Sequence, residues 1–123
     1  NIPLMGVTTV VVGWGVFVLL RRVLPSRLSM VAPAAAVGAF VSVPVAALVF
    51  TGLFAVGGTA PVDLGAVATA MIGWHCLIGL GEAAVTGLVV ASVVRSRPDL
   101  VLGARPLLER RELVVRTPKV EAP

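Results

Sequence analysis

The sequence predicts an all-α fold: a polytopic membrane helix bundle with three membrane-crossing helices. Composition is the first reason. Of 123 residues, 58% are hydrophobic and only 13% are charged, with a mean hydropathy of +1.03. A soluble domain of this size needs far more charge to cover its surface. The second reason is where the charges fall. Residues 1–20 and 28–62 carry none, and residues 64–94 carry only Glu82. The third is length, because about 20 residues of apolar helix cross the hydrocarbon core.

Span one is expected at residues 2–20. Pro3 suits a first helical turn, where its missing N–H costs nothing, and Arg21 and Arg22 end the span. Residues 28–62 are long for one span and short for two. Pro33 can open a helix there, while Gly57, Gly58 and Pro61 can close one. Span two is therefore placed at residues 30–55, with Pro44 near its middle as an expected kink. Membrane helices tolerate such a proline when neighbours satisfy the freed carbonyl. Span three is placed at residues 66–94, with a start as early as Leu64. It is long enough to require tilt or an extension into the outer loop.

Residues 1–97 thus form a transmembrane domain and residues 98–123 a basic tail. In that tail Leu107, Leu108, Leu113 and Val114 lie where a short interfacial helix can turn them toward lipid, and a solvated tail is the competing reading. Arg21, Arg22 and Arg27 occupy the first loop. Arg95, Arg97, Arg105, Arg110, Arg111, Arg116 and Lys119 follow span three, whereas the second loop carries only Asp63. Basic loops face the cytoplasm. Three spans put both basic segments inside and the N-terminus outside. A fourth span would export the tail.

No basic segment precedes span one and no small-residue cleavage site follows it, so a signal peptide is not expected. The chain reads as the C-terminal part of a longer bundle. The high pI does not signal nucleic-acid binding, because the basic residues flank apolar runs instead of forming a patch with exposed aromatics. Cys76, as the sole cysteine, excludes an intrachain disulfide. Trp14 and Trp74 read as interface or packing aromatics.

Chemistry concentrates in span three. A carboxylate at mid-membrane is costly and is expected inside a bundle with a partner. His75 precedes Glu82 by seven residues, which at 100° per residue sets the two within about 20° of each other. Thr86 follows on the same face. His75, Glu82 and Thr86 therefore form one polar stripe. The seven-residue step is about 10.5 Å along the axis, too long for a direct His–Glu bond, so each needs its own partner. Beside the stripe, Gly79, Ala83, Gly87 and Ala91 recur every four residues, a ladder that admits close helix approach. Ala34, Gly38, Ser42 and Ala46 repeat the pattern in span two.

Two roles fit Glu82, structural hydrogen bonding and direct participation in transport. For His75 a structural hydrogen bond comes first and a place beside a transport path second. One histidine with one carboxyl is not a metal site by spacing. No nucleophile–base pair, phosphate loop or zinc motif is present, so an enzyme is not expected.

The string Met71-Ile72-Gly73-Trp74-His75-Cys76-Leu77-Ile78-Gly79-Leu80-Gly81-Glu82-Ala83-Ala84-Val85-Thr86 resembles a signature of the cobalt/nickel substrate-binding membrane component of energy-coupling factor ABC transporters, the CbiM/NikM family. Gly58-Thr59-Ala60-Pro61 is similar to that family's outer loop. Arg97-Pro98-Asp99-Leu100 is similar to its stretch after the last span, and residues 1–6 to the opening of a late span. The resemblance implies the last three of seven spans in a bacterial inner membrane. It implies capture of Co²⁺ or Ni²⁺ outside and passage inward. The partners it implies are an energy-coupling transmembrane protein, cytoplasmic ATPase subunits and a small accessory membrane subunit, within the lipid bilayer and without nucleic acid.

In that family an N-terminal Met-His-Ile-Pro-Asp-Gly segment and a further His hold the metal. This sequence contains neither, so no ligand is assigned to it and no cofactor is expected in this segment. His75, Glu82 and Thr86 are then expected to support the metal site or line the metal path. Three spans alone leave this stripe facing lipid. A membrane scaffold, or a small proton-coupled exporter using Glu82, are the alternatives.

Overall fold

A computed structural model describes residues 6–116, with side chains described through Leu113. Pro3 and Lys119 lie outside that range, as does the side chain of Val114. Within it the protein is helical. Helix α1 is Thr9–Val23, α2 is Val31–Gly57, α3 is Leu64–Ser96 and α4 is Arg105–Arg116. Single 3-10 turns at Leu28–Met30, Pro98–Leu100 and Leu102–Ala104 join them.

Three segments are long and apolar enough to cross a membrane: Gly6–Val23, Leu28–Gly57 and Leu64–Ser96. The protein is accordingly a multi-pass membrane protein. At about 1.5 Å per residue α3 spans about 50 Å, well beyond a hydrocarbon core of about 30 Å. It starts at Leu64, the earlier of the two expected positions, because Asp63 caps it. The Asp63 carboxyl accepts the Ala66 N–H at 2.7 Å, satisfying one of the first-turn donors that have no helical partner. Asp63→Ala is expected to lower stability by about 1 kcal/mol, read as a fall in the thermal midpoint of the purified protein.

Helix α2 packs against both α1 and α3. Its buried residues include Ala34, Gly38, Ser42 and Ala46, the four-residue run seen in the sequence. On the α1 side, two glycines meet. A Cβ built on Gly38 would lie 2.7 Å from the Gly13 carbonyl oxygen, so nothing larger than hydrogen fits there.

On the α3 side the contact is set by Pro44. Helix α2 runs through this proline without interruption. Proline has no N–H, so the Phe40 carbonyl four residues back loses its helical donor. Gly79 of α3 sits at that carbonyl, since a Cβ built on it would lie 2.9 Å from the Phe40 oxygen and 3.6 Å from Pro44 Cδ. The hydrogen that takes the place of Cβ therefore points at the freed oxygen, a weak C–H···O contact. Two steps of the ladder further, Gly87 faces the Ala36 methyl, 3.2 Å from where a Cβ would be. Ala83 and Ala91 are half-buried.

After α3 the chain turns back on itself. Arg97 donates to both carboxyl oxygens of Asp99, Nε to Oδ1 at 3.0 Å and Nη2 to Oδ2 at 2.8 Å. This hydrogen-bonded guanidinium holds the Asp99 carboxyl below the usual carboxylate range. Arg105 Nε donates to the Asp99 carbonyl at 3.4 Å. The fold-back lays Gly103 on the Phe17 ring, 2.5 Å from ring carbon to a built Cβ, and fully buries Ala104. Of the two readings of the tail, a short helix or a solvated segment, residues Arg105–Arg116 form a helix, α4, with Leu107 and Leu108 half-buried and Leu113 exposed.

Candidate functional site

Because α2 separates them, α1 and α3 leave a groove between them, floored by α2. Its upper part is a cavity of ≈ 340 Å³ lined by His75 and Glu82 of α3, Ser42 and Ala39 of α2, and Thr9 of α1. Its lower part is a cavity of ≈ 460 Å³ that shares Thr9, Ala39 and Ser42 and adds Thr86, Trp14 and Phe17. The fold-back at residues 100–103 lines the lower end. The polar stripe thus lies along one continuous groove: His75 and Glu82 above, Thr86 below, Ser42 at the join.

The seven-residue spacing accounts for this placement. Gly79 is drawn onto α2 by the Phe40 carbonyl, and His75, Glu82 and Thr86 lie within about 60° of Gly79 around the axis. They consequently flank the α2 contact and look across it toward α1. Gly79 is the buried residue of α3, Thr86 is half-buried, and the rest of the ladder is less covered.

His75 is held by its own helix. Its Nδ1 lies 2.6 Å from the Met71 carbonyl oxygen. A carbonyl only accepts, so Nδ1 carries the hydrogen, and in the neutral ring Nε2 keeps a free lone pair. Histidines that serve metals commonly have this arrangement, one nitrogen tied to a backbone carbonyl and the other open. The structural bond expected for His75 and an open nitrogen in the groove therefore coexist.

Glu82 was expected inside a longer bundle, with three spans alone leaving it toward lipid. It is exposed, not buried, and neither its side chain nor that of Thr86 has a hydrogen bond among the described residues. The reason is architectural. Three helices with α2 in the middle cover α3 on one side, and Glu82 sits at the edge of that covered strip. Ser42 behaves differently: 6% exposed, it satisfies its hydroxyl by donating to the Ala39 carbonyl at 2.9 Å.

The sequence reading missed Thr9 altogether and took Ser42 only as a packing residue. A hydroxyl at mid-span was the available signal for Ser42. Thr9 had only its place, beside Thr8, ahead of an apolar run in α1. Cys76 is half-buried and lies outside the groove lining, and Trp74 is exposed.

Among the described residues no three His, Cys, Asp or Glu side chains converge as a metal cluster. The groove offers one imidazole nitrogen, one carboxyl and hydroxyls. That set can escort a divalent cation or complete a site made elsewhere, and it is too sparse to hold a transition metal alone.

Comparison with known proteins places the chain in a family. No solved structure matches the chain. A protein of Haloquadratum walsbyi, provisionally described as a metal transport protein, is 30% identical over 101 residues, covering 82% of this chain. The chain spans 44% of that relative's length. The family model for the cobalt uptake substrate-specific transmembrane region, CbiM, matches residues 1–100, which include all three apolar helices and the groove residues His75, Glu82, Thr86, Thr9 and Ser42. The chain belongs to the CbiM family of cobalt uptake membrane components.

Proposed function

We propose that this chain lines the path along which a transition-metal cation, Co²⁺ or Ni²⁺, is passed inward by the substrate-specific component of an uptake transporter. The observation that carries the reading is the groove itself. His75, Glu82 and Thr86 share it, and their spacing of about 10.5 Å and 6 Å along α3 suits successive way-points better than a single site. His75 Nε2 supplies a nitrogen donor, Glu82 a negative charge, and Thr86, Thr9 and Ser42 hydroxyl oxygens.

A metal ion crossing a low-dielectric region needs its charge matched at each step. Glu82 is the one acidic side chain within the spans. Its exposure in the three-helix array supports a further helical surface closing the groove over it. The basic loops favour a cytoplasmic inner end, so the path runs from His75 toward residues 100–103. Energy-coupling membrane and ATPase subunits, with a small accessory membrane subunit, are the partners the resemblance implies. ATP hydrolysis belongs to them and not to this chain.

Filling the groove without removing any polar group tests the reading. Ala39 is half-buried and lines both cavities. Ala39→Leu in cells producing the protein with its transport partners is expected to cut cobalt uptake about tenfold or more while protein levels and complex assembly hold. Undiminished uptake would exclude the groove as the path.

A further inference from the structure

At the inner ends of α1 and α2 the protein forms another cavity, ≈ 740 Å³, between the α1–α2 turn and α4. Arg27 enters it from the turn, Arg110 and Arg111 from α4, with Ser26 and Ser29 beside them. All three arginines are exposed, and the ion pair among the described residues is Arg97–Asp99. None of the three therefore has its charge matched within the described chain. Glu109 and Glu112 share α4 but do not line this cavity.

Two features add to the positive potential. The helical segment Leu28–Gly57, 30 residues long, begins at this cavity, and neither its 3-10 turn nor the following helix has a side-chain cap. With Leu28 and Ser29 in the lining, the positive dipole end of this segment adds to the potential at the cavity. Arg21 Nη1 donates to the Arg27 carbonyl at 3.4 Å, which steadies the turn that carries Arg27.

The level in the membrane decides the ligand. The cavity sits where charged residues give way to the apolar span of α2, and Leu28 and Leu107 form part of its wall. A phosphate joined to acyl chains matches such a mixed lining. Free phosphate or an acidic peptide does not need the leucines. Arginine forks bind phosphate oxygens in pairs, and basic pockets beside membrane helices hold anionic headgroups. We propose that Arg27, Arg110 and Arg111 form a binding site for the phosphate headgroup of an anionic membrane phospholipid. This site stands apart from the groove and does not depend on the transport reading.

Purified, delipidated protein titrated with dihexanoyl phosphatidylglycerol, dihexanoyl phosphatidylcholine, inorganic phosphate or ATP tests the site, with thermal midpoint and native mass spectrometry as readouts. Phosphatidylglycerol is expected to bind and raise the midpoint. Each of R27Q, R110Q and R111Q is expected to weaken it about fivefold, and the three together about a hundredfold. R95Q removes one charge outside the cavity and is expected to leave binding unchanged. If the triple variant does not fold, the single variants carry the measurement. Equal binding of phosphatidylcholine, protection by inorganic phosphate or ATP at the same concentration, or a loss in R95Q matching the pocket variants would overturn the proposal. So would unchanged lipid binding by the triple variant together with failed complex assembly, which would assign the arginines to a protein partner.

Discussion

Gly38→Leu is expected to force α1 off α2 and destabilise the protein by about 2–3 kcal/mol. The position has no slack. A single methyl group at Gly38 already meets the Gly13 carbonyl oxygen at 2.7 Å, and that neighbour is backbone, which cannot rotate away. Alanine gains about 1 kcal/mol over glycine in helix propensity, against about 1–3 kcal/mol for overpacking. The packing loss outweighs the propensity gain, so even Gly38→Ala is expected to lower stability. Gly52 of the same helix is the control. Nothing lies within 4 Å of a Cβ there, so Gly52→Ala is expected to be neutral or mildly stabilising. Chemical denaturation or thermal unfolding in detergent separates the two. A Gly38→Leu variant as stable as Gly52→Ala would mean that α1 and α2 do not cross at these glycines.

The second large effect concerns function. Glu82→Gln keeps the shape of the side chain and removes its charge. Loss of a group that supports a metal site or path typically costs about 10–100-fold in affinity or activity, and Glu82 provides the acidic charge within the spans. His75→Ala removes both the Nδ1–H bond to the Met71 carbonyl and the open nitrogen. His75→Gln retains a donor for that carbonyl without restoring the imidazole nitrogen. If His75 serves only its helix, His75→Gln should transport like the unsubstituted protein. If Nε2 serves the cation, His75→Gln should be as impaired as His75→Ala.

Much of the arrangement was legible in the sequence. Helical periodicity alone aligned His75, Glu82 and Thr86, and their shared groove follows from that alignment. The apolar helical segments Gly6–Val23, Leu28–Gly57 and Leu64–Ser96 occupy the regions where the apolar runs placed spans, and the expected start of the first, at residue 2, lies outside the described residues. The Ala34–Gly38–Ser42–Ala46 run was visible as a small-residue face.

Its partner was not visible. Which glycine of α1 meets Gly38 depends on where two helices cross, and no local pattern encodes that. The role of Pro44 was half legible: the freed Phe40 carbonyl follows from chemistry, but its pairing with Gly79 needs three-dimensional register. The fold-back of residues 97–104 onto Phe17 was hidden because it rests on the Arg97–Asp99 clamp and one glycine. Glu82 was expected inside a longer bundle and toward lipid in three spans alone, and it is exposed here: intramembrane cost indicates that a carboxyl is covered without saying which helix covers it.

Uptake of radiolabelled cobalt by cells producing the Glu82→Gln protein with its transport partners, normalised to protein in the membrane, is the most direct measurement of the groove's role. A cation path along His75, Glu82 and Thr86 predicts uptake reduced at least tenfold with the complex still assembled. Uptake equal to that of the unsubstituted protein would contradict it and leave the stripe as packing alone.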